Sequence, residues 1–213
     1  MAEATNAIAE QFDSSEQQHE SAWLGLWAFL ATEVLFFGGV FLGYIVYRHV
    51  YYESFVLASR TTNLVYGTVN TAVLLTSSLT MALAVHAAQV GKNKNLVRFL
   101  ILTILLAITF MGVKGVEYYE HYKDHQIPGP SFVLKGAPEG ELFYYFYFTM
   151  TGLHALHVVI GIGLLSVMAL LAARRRFNPA YYTPVELSGL YWHFVDIVWI
   201  FLYPLIYLIS RHS

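Results

Sequence analysis

The sequence predicts an all-α polytopic membrane protein, a bundle of five transmembrane helices. Hydrophobic residues make up 57% of the 213 residues and charged residues only 12%, about half the charged share that is usual in soluble domains. The apolar residues fall in blocks of the length that crosses a bilayer, roughly 20 residues each. Such segments must be helical, because lipid offers no partner for backbone N–H and C=O groups.

The chain divides into an N-terminal tail and a membrane domain. Residues 1–21 contain five acidic residues and no Lys or Arg, which does not fit the basic start of a signal peptide. We therefore expect a polar, acidic tail. Residues 22–213 form the membrane domain, and its five spans are predicted at residues 23–47, 64–89, 96–119, 142–172 and 187–209.

The short loops predict how the bundle is oriented. Lys92, Lys94 and Arg98 follow the second span, and residues 174–176, all Arg, follow the fourth. Both loops lie on one side, and Lys and Arg in short loops favour the cytoplasmic side. The sequence thus predicts a cytoplasmic N-terminus and a C-terminus outside.

Aromatic side chains cluster at the span ends and predict a belt at the membrane–water interface. The side chains of this belt are Trp23, Trp27, Tyr44, Tyr47, Tyr118, Tyr119, Tyr144, Tyr145, Tyr191 and Trp192. His86, near the end of the second span, is also expected to reach the interface.

Several function classes do not fit the sequence. Without cysteine, the chain has no disulfide, thiolate metal site or iron–sulfur cluster. Nucleophile elbows, phosphate-binding glycine loops and zinc motifs are absent. A net charge of −2 and the lack of a basic patch with interleaved aromatics argue against a nucleic-acid partner. We expect no catalytic residue and no metal site.

Ionisable residues inside the spans are the candidate functional residues, since a charge at the centre of a membrane helix costs about 2.5–3.5 kcal/mol on insertion scales. Glu33 lies ten residues beyond Trp23, so roughly 15 Å into the bilayer. It could handle protons, or as a protonated acid it could join two helices. Lys114 and Glu117 are expected to pair locally, with the Lys stem reaching towards the interface.

The fourth and fifth spans carry further polar candidates. His154 and His157 share a face of the fourth span; they could bind a metal with help from another helix, or simply contact a neighbouring helix. In the fifth span, Glu186, His193 and Asp196 also share a face. Together with Glu33 they predict a polar seam that joins spans one, four and five.

Five stretches resemble the subunit III family of haem-copper terminal oxidases, in the order in which that family has them. They are residues 27–41, 70–80, 114–120, 152–161 and 186–203. The resemblance covers nearly the whole chain from Trp23 onwards. It implies a five-helix bacterial member, whereas longer members have two more helices before the one that contains Glu33.

The resemblance also implies a function. Such a subunit carries no haem or copper, since these reside on partner subunits, and it binds phospholipid. It packs on catalytic subunit I in a complex that also contains subunit II, and a small subunit IV or a larger respiratory supercomplex can be added. It supports proton uptake and stabilises the catalytic centre, here in a bacterial cytoplasmic membrane. Glu33 matches the family's carbodiimide-reactive carboxyl, and His154, His157, Glu186, His193 and Asp196 match its recurring polar positions.

Other functions remain open at this stage. The electron donor of the oxidase could be cytochrome c or quinol, and the accessory protein of nitric oxide reductase systems shares the fold. A b-type cytochrome would use His86, His154 or His193 as haem ligands, but the four-turn histidine spacing of dihaem membrane cytochromes is missing. A proton-coupled transporter would use Glu33.

Overall fold

The computed structural model describes residues 11–134, 137, 139–179 and 181–208. This part of the chain forms six helices and no strand, which confirms the all-α prediction. The helices are α1 (Ser15–Val50), α2 (Tyr52–Thr61), α3 (Leu64–Gln89), α4 (Asn93–Lys123), α5 (Gly140–Ala173) and α6 (Thr183–Tyr207). All except α2 are long and apolar enough to cross a membrane, so the five predicted spans correspond to α1 and α3–α6.

The α1, α4 and α5 helices extend beyond the predicted spans at both ends and α6 begins earlier than predicted, whereas α3 matches its predicted span. The α1 helix begins at Ser15, eight residues before the expected start. Ser14 is its N-cap and accepts a hydrogen bond from Gln17 N at 3.1 Å, while the Gln17 side chain accepts from Asp13 N at 2.8 Å. Part of the predicted acidic tail is thus helical. Residues 1–10 of the tail lie outside the described residues, and so does Ile209, the last residue of the predicted fifth span.

The short helix α2 was not predicted, because the sequence between the first two spans is too polar and too short to read as a span. It follows α1 after a break at Tyr51. Both α2 and α1 contact the end of α6: Ser59 Oγ of α2 donates to Ile206 O at 2.9 Å, and Tyr44 Oη of α1 donates to Leu205 O. These two carbonyls lie in the last turn of α6, where a helix leaves its C=O groups without partners of its own.

The spans differ in how much of their surface the bundle covers. The α3 and α4 helices form an antiparallel pair, and α6 packs against α3 and α5. Among the spans, α6 is the most buried and α1 the least. One long face of α1 therefore points away from the bundle and is available for lipid or a partner.

The predicted aromatic belt is only half correct. In three neighbouring pairs one ring is exposed and the other is not: Tyr47, Tyr119 and Tyr145 are exposed, while Tyr44 and Tyr144 are fully buried and Tyr118 is half-buried. Tyr191 and Trp192 are both buried. The reason is helix geometry: adjacent residues lie about 100° apart around the helix axis and residues three apart about 60°, so a similar depth does not place both rings in the same environment.

Candidate functional site

Glu33 and His157 form a polar pair between α1 and α5. His157 Nε2 lies 3.1 Å from Glu33 Oε2, and the side chains are 11% and 18% exposed, respectively. The Phe37 ring packs 5.2 Å from the imidazole. Tyr191 Oη of α6 donates to the backbone oxygen of His157 at 3.0 Å. The pair therefore lies where α1, α5 and α6 meet, slightly open to the surroundings.

The hydrogen bonds of His157 fix which nitrogen carries a proton. Its Nδ1 lies 2.8 Å from the backbone oxygen of Leu153, and a carbonyl oxygen can only accept, so Nδ1 is the donor. Nε2 then either accepts from a protonated Glu33 or, in the imidazolium form, donates to a Glu33 carboxylate. In both forms the pair shares one proton between the two side chains and keeps no net charge.

His154 does not join this pair. It is almost fully buried and packs between the rings of Phe110, at 5.5 Å, and Trp199, at 5.1 Å. Neither ring nitrogen has a hydrogen-bond partner among the described residues. Although His154 and His157 are three residues apart, one points towards α4 and α6 and the other towards α1. No group of three potential metal ligands occurs in the part of the chain that the structure describes.

The polar residues of α6 face a different helix from the one that the seam prediction required. His193 Nδ1 lies 2.8 Å from Ser78 Oγ of α3. Asp196 is buried and also lies beside Ser78, but that hydroxyl is engaged with His193, and neither carboxylate oxygen has a well-formed hydrogen bond within the described chain. Glu186 is half-buried near the start of α6. The predicted single seam is wrong: Glu33 and His157 lie on one side of α6, and His193 and Asp196 face α3 on another.

Lys114 and Glu117 lie in a buried polar cluster that is larger than the local pair predicted from the sequence. Lys114 and Glu117 of α4 form an ion pair of 2.8 Å, and their side chains are 3% and 1% exposed. Lys114 Nζ also donates to Tyr207 Oη at 2.8 Å and Tyr147 Oη at 3.3 Å. Tyr207 Oη in turn donates to Glu117 Oε1 at 2.6 Å. The expectation that Lys114 reaches the interface is wrong, because two tyrosines from α5 and α6 supply its partners inside the bundle.

This Lys114 cluster is fully satisfied. The ammonium group uses its three donors on Glu117, Tyr207 and Tyr147, and both oxygens of Glu117 accept. The rings of Tyr147 and Trp199 also lie 5.1 and 5.2 Å from Nζ, within cation–π range. The i, i+3 spacing indicates the pair, but no sequence signal indicates that Tyr147 and Tyr207 converge on it.

The residues expected at the membrane–water interface differ in how exposed their side chains are. Trp27 and His86 are exposed, and Trp23 is half-buried beside the ring of His19. Trp192, however, is fully buried: its Nε1 donates to Ser77 Oγ at 3.2 Å. Its assignment to the interface is wrong, because α6 is enclosed by its neighbours on most sides.

The sequence matches a known family along nearly the whole chain. The family described as "Cytochrome c oxidase subunit III" matches residues 12–211. The chain belongs to the cytochrome c oxidase subunit III family. Glu33, His157 and the Lys114 cluster all lie within the matched region.

Relatives with the same description agree with this assignment. The chain is 39% identical over 138 residues to cytochrome c oxidase subunit 3 of Oncorhynchus mykiss and of Gadus morhua, and 38% identical over 138 residues to that of Gallus gallus. Each match covers 65% of this chain and 48% of the relative. The chain thus spans about half the length of the curated relatives it matches.

Proposed function

We propose that the chain is the non-redox accessory subunit III of a haem-copper terminal oxidase of the cytochrome c oxidase type, acting in an aerobic respiratory chain. The match to the subunit III family over residues 12–211 carries this proposal. The five-span bundle supports it, because such a subunit acts within the membrane. On this proposal the chain contributes to a proton-pumping oxidoreductase without a catalytic site of its own.

Haem and copper would reside on partner subunits. The geometry of three intramembrane histidines supports this division, since their rings already make other contacts, whereas His86 is exposed near the end of α3. His157 is engaged by Glu33 and the Leu153 carbonyl, His193 by Ser78, and His154 by two aromatic rings. A haem ligand would have to leave these contacts and present a nitrogen to open space.

The open face of α1 is the docking surface that best fits subunit I and bound phospholipid. Exposed side chains such as Leu24, Leu35 and Leu42 follow this helix from end to end. A bare apolar face of this length is stable in lipid or against another membrane subunit, not in water. Subunit II, a small subunit IV or a respiratory supercomplex would complete the assembly.

The Glu33–His157 pair is our candidate for the proton-supporting role. It shares one proton, lies next to the open face of α1, and is not sealed from its surroundings. The shared proton can therefore move between the two side chains without creating a net charge in the membrane, which would be costly. In this account the pair supports proton uptake by the neighbouring catalytic subunit and does not itself catalyse oxygen reduction.

The proposal is tested by comparing the purified oxidase with and without this chain. We expect the depleted enzyme to reduce oxygen at a near-normal initial rate, to take up protons more slowly, and to lose activity sooner during turnover. Restoring the chain should lengthen the active lifetime again. Immediate loss of all oxygen reduction, with the other subunits and their haem spectrum intact, would contradict an accessory role.

The bacterial cytoplasmic membrane is the proposed location, with the N-terminus inside. The chain has no cysteine, so single cysteines report sidedness without a background. Cysteine at Asn95, in the first turn of α4 beside the basic loop, should react with a membrane-impermeant maleimide only after cells are opened. Cysteine at Ser131, on the opposite side of the bundle, should react in intact cells. The reverse pattern would invert the topology.

A further inference from the structure

One side of α6 is left open by the rest of the bundle. The helix packs against α1, α3 and α5, yet residues that recur every three or four positions along it stay partly or fully exposed, so they lie on one side of the helix. They are Leu190, His193, Ile197, Ile200, Phe201 and Pro204, and we call them the open face of α6. From its first to its last residue this face is about 21 Å long, at 1.5 Å per residue.

The helices α3 and α1 border the open face of α6 on its two sides. On the α3 side, Ser78 Oγ lies 2.8 Å from His193 Nδ1. On the α1 side, the rings of Phe37 and Phe194 pack with their centroids 6.3 Å apart. The open face is therefore the floor of a shallow groove between two helices. A groove of this kind suits a third helix, whose side chains can pack between those of its neighbours.

A polar notch, formed by Ser78, His193 and Asp196, lies at the α3 edge of this groove. His193 is only partly buried and uses Nδ1 on Ser78, which leaves Nε2 available to a group outside the described chain. Asp196 is 3% exposed beside Ser78, and neither of its oxygens has a well-formed hydrogen bond within the described residues. Polar groups that face lipid without a partner are costly. A polar side chain from outside would therefore stabilise the notch.

The depth of the notch indicates that a protein side chain fills this role. His193 lies about 15 Å along α6 from Thr183, the first residue of the helix, and the hydrocarbon core of a bilayer is about 30 Å thick. A lipid headgroup stays at the membrane surface, and an acyl chain offers no hydrogen bond. An amide or hydroxyl side chain can both donate and accept, so it suits His193 Nε2 whether or not that nitrogen carries the proton.

The far end of the groove holds an arginine without an acidic partner. A cavity of about 530 Å³ lies there between α1, α2 and α6, and it is lined by Phe41, Ile45, Arg48, Tyr52, Phe201, Pro204, Leu205 and Leu208. Arg48 is half-buried and forms no ion pair among the described residues, and none of the lining residues is acidic. A carboxylate from outside would compensate this charge and could bind both arms of the guanidinium group.

We propose that the open face of α6 binds one transmembrane helix of a partner subunit, which brings an amide or hydroxyl side chain to His193 and a carboxylate to Arg48. Pro204, which lines the Arg48 cavity, is about three helical turns from His193. The two polar residues of the partner are therefore about eleven positions apart, on one side of its helix. This surface is separate from the exposed face of α1 and rests on the membrane-spanning fold, not on the proposed oxidase function.

The test places the photocrosslinker benzoylphenylalanine at Ile197 of the tagged chain and irradiates the native membrane. Ile108 of α4, across the bundle, is the matched control: the two side chains are 51% and 50% exposed for Ile108 and Ile197, at a similar depth. The Ile197 probe should react with one subunit, within a transmembrane segment that carries the two predicted polar residues. Adducts with lipid alone, with a second copy of this chain or with a segment that lacks these residues would overturn the proposal, as would an equal yield of that subunit from Ile108.

Two variants, His193→Leu and Arg48→Gln, test the polar contacts separately. Each should weaken retention of the crosslinked subunit in detergent about threefold to tenfold, the range for polar contacts between membrane helices. Ser78→Ala removes the same hydrogen bond inside the chain but leaves His193 Nε2 in place. It is the control for folding and should retain the subunit better than His193→Leu does. Full retention in both test variants, or an equal loss in Ser78→Ala, would show that these side chains do not hold a partner helix.

Discussion

The buried Lys114–Glu117 pair gives the sharpest stability prediction. Replacing Lys114 with Met keeps a similar shape but removes the ammonium group, which makes three hydrogen bonds to Glu117, Tyr207 and Tyr147. Glu117 Oε1 retains its bond from Tyr207, but Oε2 loses its partner. A carboxylate that is 1% exposed then has no compensating charge.

The expected loss of stability depends on whether one charge of the buried ion pair is removed or both. Removing one partner of such a pair destabilises a protein by about 3–5 kcal/mol, whereas removing both charges is much less costly. In the double variant Lys114→Met, Glu117→Gln, the neutral amide can still accept the hydrogen bond from Tyr207. We expect this variant to lose about 1–2 kcal/mol, the value of one or two neutral hydrogen bonds.

The assay is thermal unfolding of the purified protein in one detergent, followed by tryptophan fluorescence. For a chain of this size, 1 kcal/mol corresponds to about 2–4 °C in Tm, so Lys114→Met should unfold about 10 °C below the wild type. The double variant should recover more than half of this difference. If the single variant matches the wild type, or if the double variant is no better than the single one, the cluster is not held by a charged pair.

Two further predictions concern the contacts of α5 with α1 and α6. Glu33→Gln should leave assembly intact, because the amide can donate to His157 Nε2 over the same 3.1 Å. The variant should lose labelling by a hydrophobic carbodiimide and should slow proton uptake only modestly. Failure to assemble would show that the acid itself is structural. Gly161→Ala should destabilise the protein by about 1–3 kcal/mol, since the new Cβ would lie 2.7 Å from Trp192 Cζ3. Gly163→Ala, which meets nothing within 4 Å, is its control in the same unfolding assay.

The membrane spans were predictable because hydropathy reports them directly. A lipid-embedded segment must be apolar over its whole length, so composition alone locates α1 and α3–α6. The ends were less predictable, because caps such as Ser14 and left-handed residues such as Arg175 decide where a helix stops. The α2 helix was missed, since its stability comes from packing on α5 and α6 rather than from its own sequence.

The polar residues could be listed from sequence but only partly grouped: the local pair of Lys114 and Glu117 was predicted correctly, whereas the single seam was not. Their depth in the membrane follows from position along a helix, whereas their partners depend on helix rotation and on which helices are neighbours. Thus Glu33 and His157 meet, but His154, one turn away from His157, enters an aromatic environment. Apolar spans carry little rotational signal, because lipid-facing and core-facing positions are both hydrophobic. The same reason explains why Trp192 was placed at the interface.

The most direct test of the account isolates this chain from its native complex. The tagged chain is purified from its own membrane, its partners are identified by mass spectrometry, and the complex is then dissociated so that haem, copper and iron can be measured on each subunit. The account predicts a haem-copper catalytic subunit among the partners and no stoichiometric metal or haem on this chain. Stoichiometric haem or metal on the separated chain would contradict it and would make this chain a redox protein in its own right.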